Sequence, residues 1–304
     1  MIKRAFFLLF APTRLVLAGL CSACMPAPAG ERAPDSEIQA VRTAPHRIVS
    51  LDLCADQYVL KFVQRQDILA VSPDAGKSFS AMRNSAAGLR TVRPRMEDVL
   101  ALRPDLVVRS YGGGAESVKL LEDSGIEVIQ LGYPQDLGGV RDEIVRIGSA
   151  LGNAGLARKI AHSMDQRLAT LKGRAVSVQG AAPSALYITP GGVTAGPGTL
   201  MDGLFHAAGL ANFQQRPGWN TIPLEHLAYD SPDMLAIARF DGAVGSVDAW
   251  STARHPLVQD SLKSRPVVLL DSGAVACADW SLADAAEALA SGREGATGKK
   301  VAAP

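Results

Sequence analysis

Between residues 47 and 291, short apolar runs alternate with longer stretches whose apolar positions return every third or fourth residue. The runs suit strands buried on both faces of a parallel sheet, and the periodic stretches suit helices that cover it. On this reading strands lie at 47–51, 67–72, 106–108 and 127–131, with helices at 55–63, 97–102, 115–123 and about 136–151. Asp52 stands where the first helix needs an N-cap. A proline-free helix follows at 154–172, striped with Leu156, Ile160, Met164, Leu168 and Leu171 over about five turns. Residues 185–189 then open a second half, and the alternation continues through 199–210, 224–229, 234–240, 255–263, 267–271 and 281–291.

One stretch occurs twice. MEDVLALRPDLVV at 96–108 reads as a short helix, a Pro-Asp break and an apolar strand; proline at 104 disfavours helix at Arg103. LEHLAYDSPDMLAI at 224–237 repeats that grammar. With Glu97 on Glu225, Pro104 falls on Pro232, Asp105 on Asp233, Leu106 on Met234 and Val107 on Leu235. The repeat and the helix between its copies predict an α/β fold of two parallel-sheet lobes, at 46–153 and 173–291, bridged by one long helix at 154–172.

Composition narrows the function. Charge is nearly balanced, with 31 basic and 30 acidic side chains, so nothing points to nucleic acid. Lys3, Arg4 and Arg14, an apolar run at 15–23 and Ala27-Pro28-Ala29 make 1–29 an export signal. Small residues ahead of Cys24 also allow lipid attachment there, so the cleavage site stays open. Residues 30–45 read as a linker and 292–304 as a disordered tail.

Ligands of parallel α/β sheets sit beyond the carboxyl ends of the strands. In the first half those positions hold Asp52, Cys54, Lys77, Arg109, Tyr111 and Tyr133; Arg93 and Arg95 lie on the long loop after the second strand. In the second half they hold the 190–198 loop, Trp250, Cys277 and Trp280, with Trp219 on a preceding loop. Aromatic and cationic groups therefore gather where two lobes face each other. Catalytic constellations do not emerge: there is no G-x-S-x-G elbow, the five histidines are scattered, and the glycine-rich stretches match no phosphate-binding motif. No enzyme activity, cofactor or metal site is expected.

The RIVSL strand, SLDLCADQ, the paired E-x(6)-PD segments, the single long helix and GTLMDGLFHAAGLAN together resemble the cobalamin/ferric-siderophore class of periplasmic substrate-binding proteins. The resemblance covers about residues 45–291. It implies a periplasmic, monomeric protein that binds a metal chelate (ferric siderophore, cobalamin or haem) between its lobes and hands it to the permease of an ABC importer. It also implies that Glu97 and Glu225 dock on permease arginines. Tryptophans typical of the cobalamin-binding relative's first lobe are absent here, whereas Lys77, Arg93, Arg95 and Arg109 suit an anionic chelate. The rival class is an exported enzyme, a hydrolase or a metal-cluster oxidoreductase, on a similar bilobal frame.

Cys54 and Cys277, one per half, can form a disulfide, remain thiols or bind a soft metal. A disulfide needs Cα atoms within about 7 Å, which is close for opposing walls of a cleft that admits a chelate. Free thiols are therefore the expectation.

Overall fold

The computed structural model describes residues 47–110, 115–176, 181–239 and 251–301. The export signal, the whole linker, Tyr111, the glycine run at 112–114 and Trp250 lie outside them. The first lobe runs β1 (Ile48–Ser50), α1 (Leu53–Phe62), β2 (Ile68–Ala70), α2 (Arg83–Ala86), α3 (Met96–Ala101), β3 (Leu106–Arg109), α4 (Ala115–Asp123), β4 (Glu127–Gln130) and α5 (Leu137–Ala150). Its strands are all parallel, in the order β2-β1-β3-β4. After α6 (Ala154–Val176) come β5 (Ser184–Ile188), β6 (Val193–Ala195), α7 (Leu200–Ala207), β7 (Ala211–Asn212), β8 (Trp219–Thr221) and α8 (Leu224–Tyr229). The chain ends with β9 (Met234–Arg239), α9 (Pro256–Ser264), β10 (Val267–Asp271), α10 (Ser272–Val275) and α11 (Leu282–Val301). The second sheet, again parallel, has the order β7-β5-β9-β10, the same topology as the first.

The repeated segment has a physical cause. Asp105 accepts a hydrogen bond from the Arg47 backbone N–H at 3.0 Å, just before β1. Asp233 accepts the Ser184 N–H at 2.9 Å, at the start of β5. Since Ile48 pairs with Leu106 and Ala185 with Met234, each aspartate ties down the start of the neighbouring strand at the same register. Ahead of each aspartate a six-residue helix buries one apolar side chain against the sheet, Val99 from α3 and Leu227 from α8, with Met96, Leu100 and Leu224 packed partly buried beside them.

Helix α6 joins the lobes. At 23 residues it is about 34 Å long, packing on α5 in the first lobe and on α7 and α11 in the second. Met164, Leu168 and Leu171 carry one continuous core from Tyr58, Phe62 and Ile147 to Leu204, Phe205 and Leu289. At the α5–α6 crossing a Cβ on Gly148 would stand 2.5 Å from that of Ala157, so the crossing requires glycine. Among the described residues, no strand pairs across the two sheets.

Two expectations are corrected. The stretch 190–198 is not a plain loop and Trp219 does not lie on one, because β6 and β8 pair as an antiparallel ribbon, Val193 opposite Thr221. Residues 292–301 are not disordered: they continue α11, where Arg293 is buried and Gly292 packs on Val268.

Candidate functional site

The carboxyl edges of the two sheets meet. At the first edge, Asp52 Oδ1 caps α1 by accepting the N–H groups of Cys54 and Ala55 at 3.1 and 3.0 Å. Its Oδ2 accepts the Ser110 N–H at 2.7 Å, clasping the ends of β1 and β3. Asp56, fully buried, accepts hydrogen bonds from the Ser50 and Ser72 hydroxyls and the Ser72 N–H. Burial pushes its carboxyl up to about 6, against the pull of those donors. Beyond β4, Glu143 accepts the Gly132 N–H at 2.6 Å and is paired with Arg146, which fixes the loop presenting Tyr133.

On this frame Tyr133 is exposed at 53%. Lys77, on the loop after β2, and Arg93 and Arg95, on the segment leading to α3, are exposed cations. Arg109, the last residue of β3, is buried at 7%, and among the described residues the one hydrogen bond of its side chain is from Nε to the Ser110 carbonyl at 3.4 Å. It has no carboxylate partner among the described residues. A buried cation at a strand's carboxyl end, with no carboxylate beside it among the described residues, suits an anionic group of a ligand.

At the second edge, Trp219 stands on the ribbon, 53% exposed and edge-on to Tyr187 at 6.2 Å. The end of the ribbon, at Thr221, borders a cavity of about 510 Å³ that is also lined by Gln214, Arg216, Glu225, His226 and Thr252. His226 stacks on Phe213 with centroids 4.2 Å apart. The GTLMDGLFHAAGLAN motif builds this edge: Thr199 caps α7, and Asp202 receives the Asn212 amide at 2.9 Å. Asn212 in turn accepts the Gln214 N–H, setting the course of the chain into the cavity wall. Gln214 and Arg216 went unpredicted; β7, the strand they follow, is only two residues long. Their signal is position, immediately after that motif.

Cys54 and Cys277 form a disulfide, Cα to Cα 5.4 Å, which overturns the expectation of free thiols. The walls approach because residues 272–280 fold back from the second sheet onto α1, and cysteines on facing segments there need span no open cleft. Trp280 goes with them. Instead of a strand end open to ligand, its ring occupies the joint, edge-on to Tyr58 and Phe62 at 5.6 and 5.7 Å. Tyr111 and Trp250 lie outside the described residues. Glu97 and Glu225 are both exposed, each the second residue of its helix. Among the described residues no group of three or more His, Cys, Asp or Glu side chains is arranged to hold a metal ion.

A family model described as periplasmic binding protein matches residues 77–269. A cobalamin-binding protein of Halobacterium salinarum is 28% identical over 209 residues, 66% of this chain and 57% of its own length. An uncharacterized ABC transporter substrate-binding lipoprotein of Bacillus subtilis, YvrC, is 30% identical over 182 residues, 54% of this chain and 57% of its own. The chain thus spans little more than half the length of these curated relatives. Among solved structures, the periplasmic heme-binding protein HutB of Vibrio cholerae has a TM-score of 0.65 at 21% identity, covering 82% of this chain and 98% of that one. The periplasmic vitamin B12-binding protein BtuF of the same organism has a TM-score of 0.61 at 19% identity, covering 83% and 98%. At such identities the likeness is one of fold.

Proposed function

The chain belongs to the periplasmic binding protein family, and from that premise we propose that it captures a metal chelate between its lobes and delivers it to an ABC importer. The observation that carries this reading is the meeting of the two carboxyl edges, one rich in cations and the other bearing an exposed tryptophan on the ribbon that borders a cavity. Lys77, Arg93, Arg95 and Arg109 hold the anionic edge of the ligand, while Trp219 and Tyr133 cover its apolar faces. Haem, cobalamin and ferric siderophores are the candidate class; the relatives named above for heme, vitamin B12 and cobalamin support it. The protein acts in the periplasm, as a monomer and without catalysis.

Glu97 and Glu225 are the docking residues for the permease. Their equivalent places on α3 and α8, both exposed, support one contact per lobe. An exposed ion pair alone contributes only about 0.2–1 kcal/mol, but desolvation in an interface raises that.

Titration of the purified chain with haemin, cyanocobalamin and a ferric siderophore, followed by tryptophan quenching, tests the reading. At least one should bind at about micromolar or tighter, and Trp219→Ala should weaken that binding by about 1–3 kcal/mol. Glu97→Ala combined with Glu225→Ala should abolish uptake while ligand affinity stays within a few-fold, the residual change coming from Glu225's place in the cavity wall. If none of the three classes binds, the chelate reading is wrong.

A further inference from the structure

The lobes are connected twice. Besides α6, the segment 272–280 leaves β10 of the second sheet and packs along the first lobe. A Cβ on Gly273 would stand 2.9 Å from the Ala81 backbone nitrogen, so backbone meets backbone there with no room for a side chain. The Tyr58 hydroxyl donates to the Ala278 carbonyl at 3.2 Å. Lys61 Nζ lies 5.4 Å from the centre of the Trp280 ring, which also meets Tyr58 and Phe62. In the middle of this segment Cys277 is bonded to Cys54, 223 residues away in sequence and two residues into α1. Both partners follow the carboxyl ends of strands, Cys54 after β1 and Cys277 after β10, so the bond sits where the two edges meet.

We propose that this disulfide is a redox-controlled clamp on the cleft. Closed, it holds the two carboxyl edges at fixed spacing; opened by a dithiol reductant, it leaves only non-covalent packing at 272–280, and the lobes part about α6. The sulfurs differ in access, Cys54 being half-buried and Cys277 only 5% exposed. A thiolate of the dithiol therefore attacks Cys54 Sγ, forming a mixed disulfide and expelling Cys277 as its thiolate, which takes up a proton. The second thiolate of the reductant then attacks its own sulfur in that mixed disulfide and releases Cys54. The protein gains two electrons and two protons, and the dithiol leaves as a cyclic disulfide. Opening removes a constraint that neither α6 nor the packing of Trp280 replaces, so the reduced form exchanges ligand faster. Only this last step rests on the chelate-binding reading.

The test uses the full chain, oxidised and after dithiothreitol, with Cys54→Ser as a second route to the open bond. Amide hydrogen exchange of residues 53–62 and 272–280 should accelerate about tenfold or more in both open forms, while strands β1, β3, β5 and β9 remain the most protected segments. Small-angle scattering should show a larger radius of gyration. Haemin, where it binds, should dissociate about tenfold faster from the reduced chain. Equal exchange and scattering in oxidised and reduced protein would overturn the clamp, as would a bond that dithiothreitol cannot open without unfolding the chain. Should haemin, cyanocobalamin and a ferric siderophore all fail to bind, the proposed function falls, while exchange and scattering still decide the clamp.

Discussion

The two lobes share a topology and a Pro-Asp anchor, yet they solve the same joint differently. In the first lobe Arg47 reaches back to the end of α3, donating from Nη2 to the Leu102 carbonyl at 2.8 Å and from Nε to the Arg103 carbonyl at 3.0 Å. Arg103 is held there at a φ of 47°, the one left-handed non-glycine residue described. In the second lobe the work falls to Ser184, whose hydroxyl donates to Asp233 and accepts the Asp233 N–H at 3.0 Å. Only the register contact between aspartate and strand start is common. The constraint that repeats is backbone geometry, and the side chains around it are free to serve each lobe's edge: exposed cations on one, a tryptophan-bearing ribbon on the other.

The sharpest way to separate the lobes is to cut their covalent clasp. A disulfide closing so long a loop stabilises by about 2–5 kcal/mol, so reduced protein should unfold at clearly lower urea. All three tryptophans lie in the second half of the chain. Fluorescence therefore follows mainly the second lobe, whereas far-ultraviolet circular dichroism follows both. Oxidised protein should give coincident transitions by the two probes, and reduced protein should not. Thiol counting under denaturation should find none in the mature body before reduction and two after.

A second contrast lies in two buried carboxyls. Asp56 in the first lobe has both oxygens hydrogen-bonded. Asp279, at the joint, accepts two hydrogen bonds from Ser281 on Oδ1, but Oδ2 has no partner among the described residues. Burial raises both to about 6. Each binds its proton more tightly folded than unfolded. The stability this contributes is fully present below the unfolded value, near 3.8, and is lost as pH rises through about 6. A shift of that size corresponds to about 2–3 kcal/mol per group. Asp279→Asn should flatten the fall in melting temperature between pH 4 and 6.5. Asp56→Asn should lower stability most above pH 6, because an amide NH2 replaces the carboxylate oxygen that accepts the Ser72 hydroxyl. Equal behaviour of the two variants would contradict the distinction.

Much of this fold is legible in sequence because its signals are local. Leu106-Val107-Val108 is apolar and unbroken, α6 carries its stripe, and the Pro-Asp segments recur at one spacing. What was not legible depends on proximity through space. A two-residue β7 and a ribbon set among glycines and prolines leave no periodicity to read. Cys54 and Cys277 are far apart in the chain, and only the return of 272–280 onto α1 brings them together. The same return moved Trp280 from the ligand edge to the joint. Lys77, Arg93, Arg95, Tyr133 and Trp219 were readable as candidates, since strand ends can be placed from sequence. Arg216 was missed with its strand.

The shared anchor offers a smaller test. Asp233 is half-buried and serves both the N–H and the hydroxyl of Ser184, whereas Asp105 is exposed. Asp233→Ala should cost about 1–2 kcal/mol and Asp105→Ala about half that, by urea denaturation. A larger loss at Asp105 would mean that its side chain carries more than the one hydrogen bond it accepts from the Arg47 N–H.

The smallest expected effect isolates the backbone difference itself. Arg103 pays for its left-handed conformation because its Cβ crowds the following carbonyl. Glycine lacks that atom but also loosens the unfolded chain, so Arg103→Gly should stabilise by only about 0.5 kcal/mol net. The contacts from Arg47 would survive, since they end on backbone carbonyls. Ser231 occupies the matching position in the second lobe without positive φ. There glycine relieves nothing and costs the same unfolded-state entropy, so Ser231→Gly should destabilise by about 0.5 kcal/mol. Opposite signs at two sequence-equivalent positions, measured as urea midpoints in otherwise identical protein, are the signature of a conformational difference between the lobes. Shifts of the same sign would place the distinction in the side chains instead.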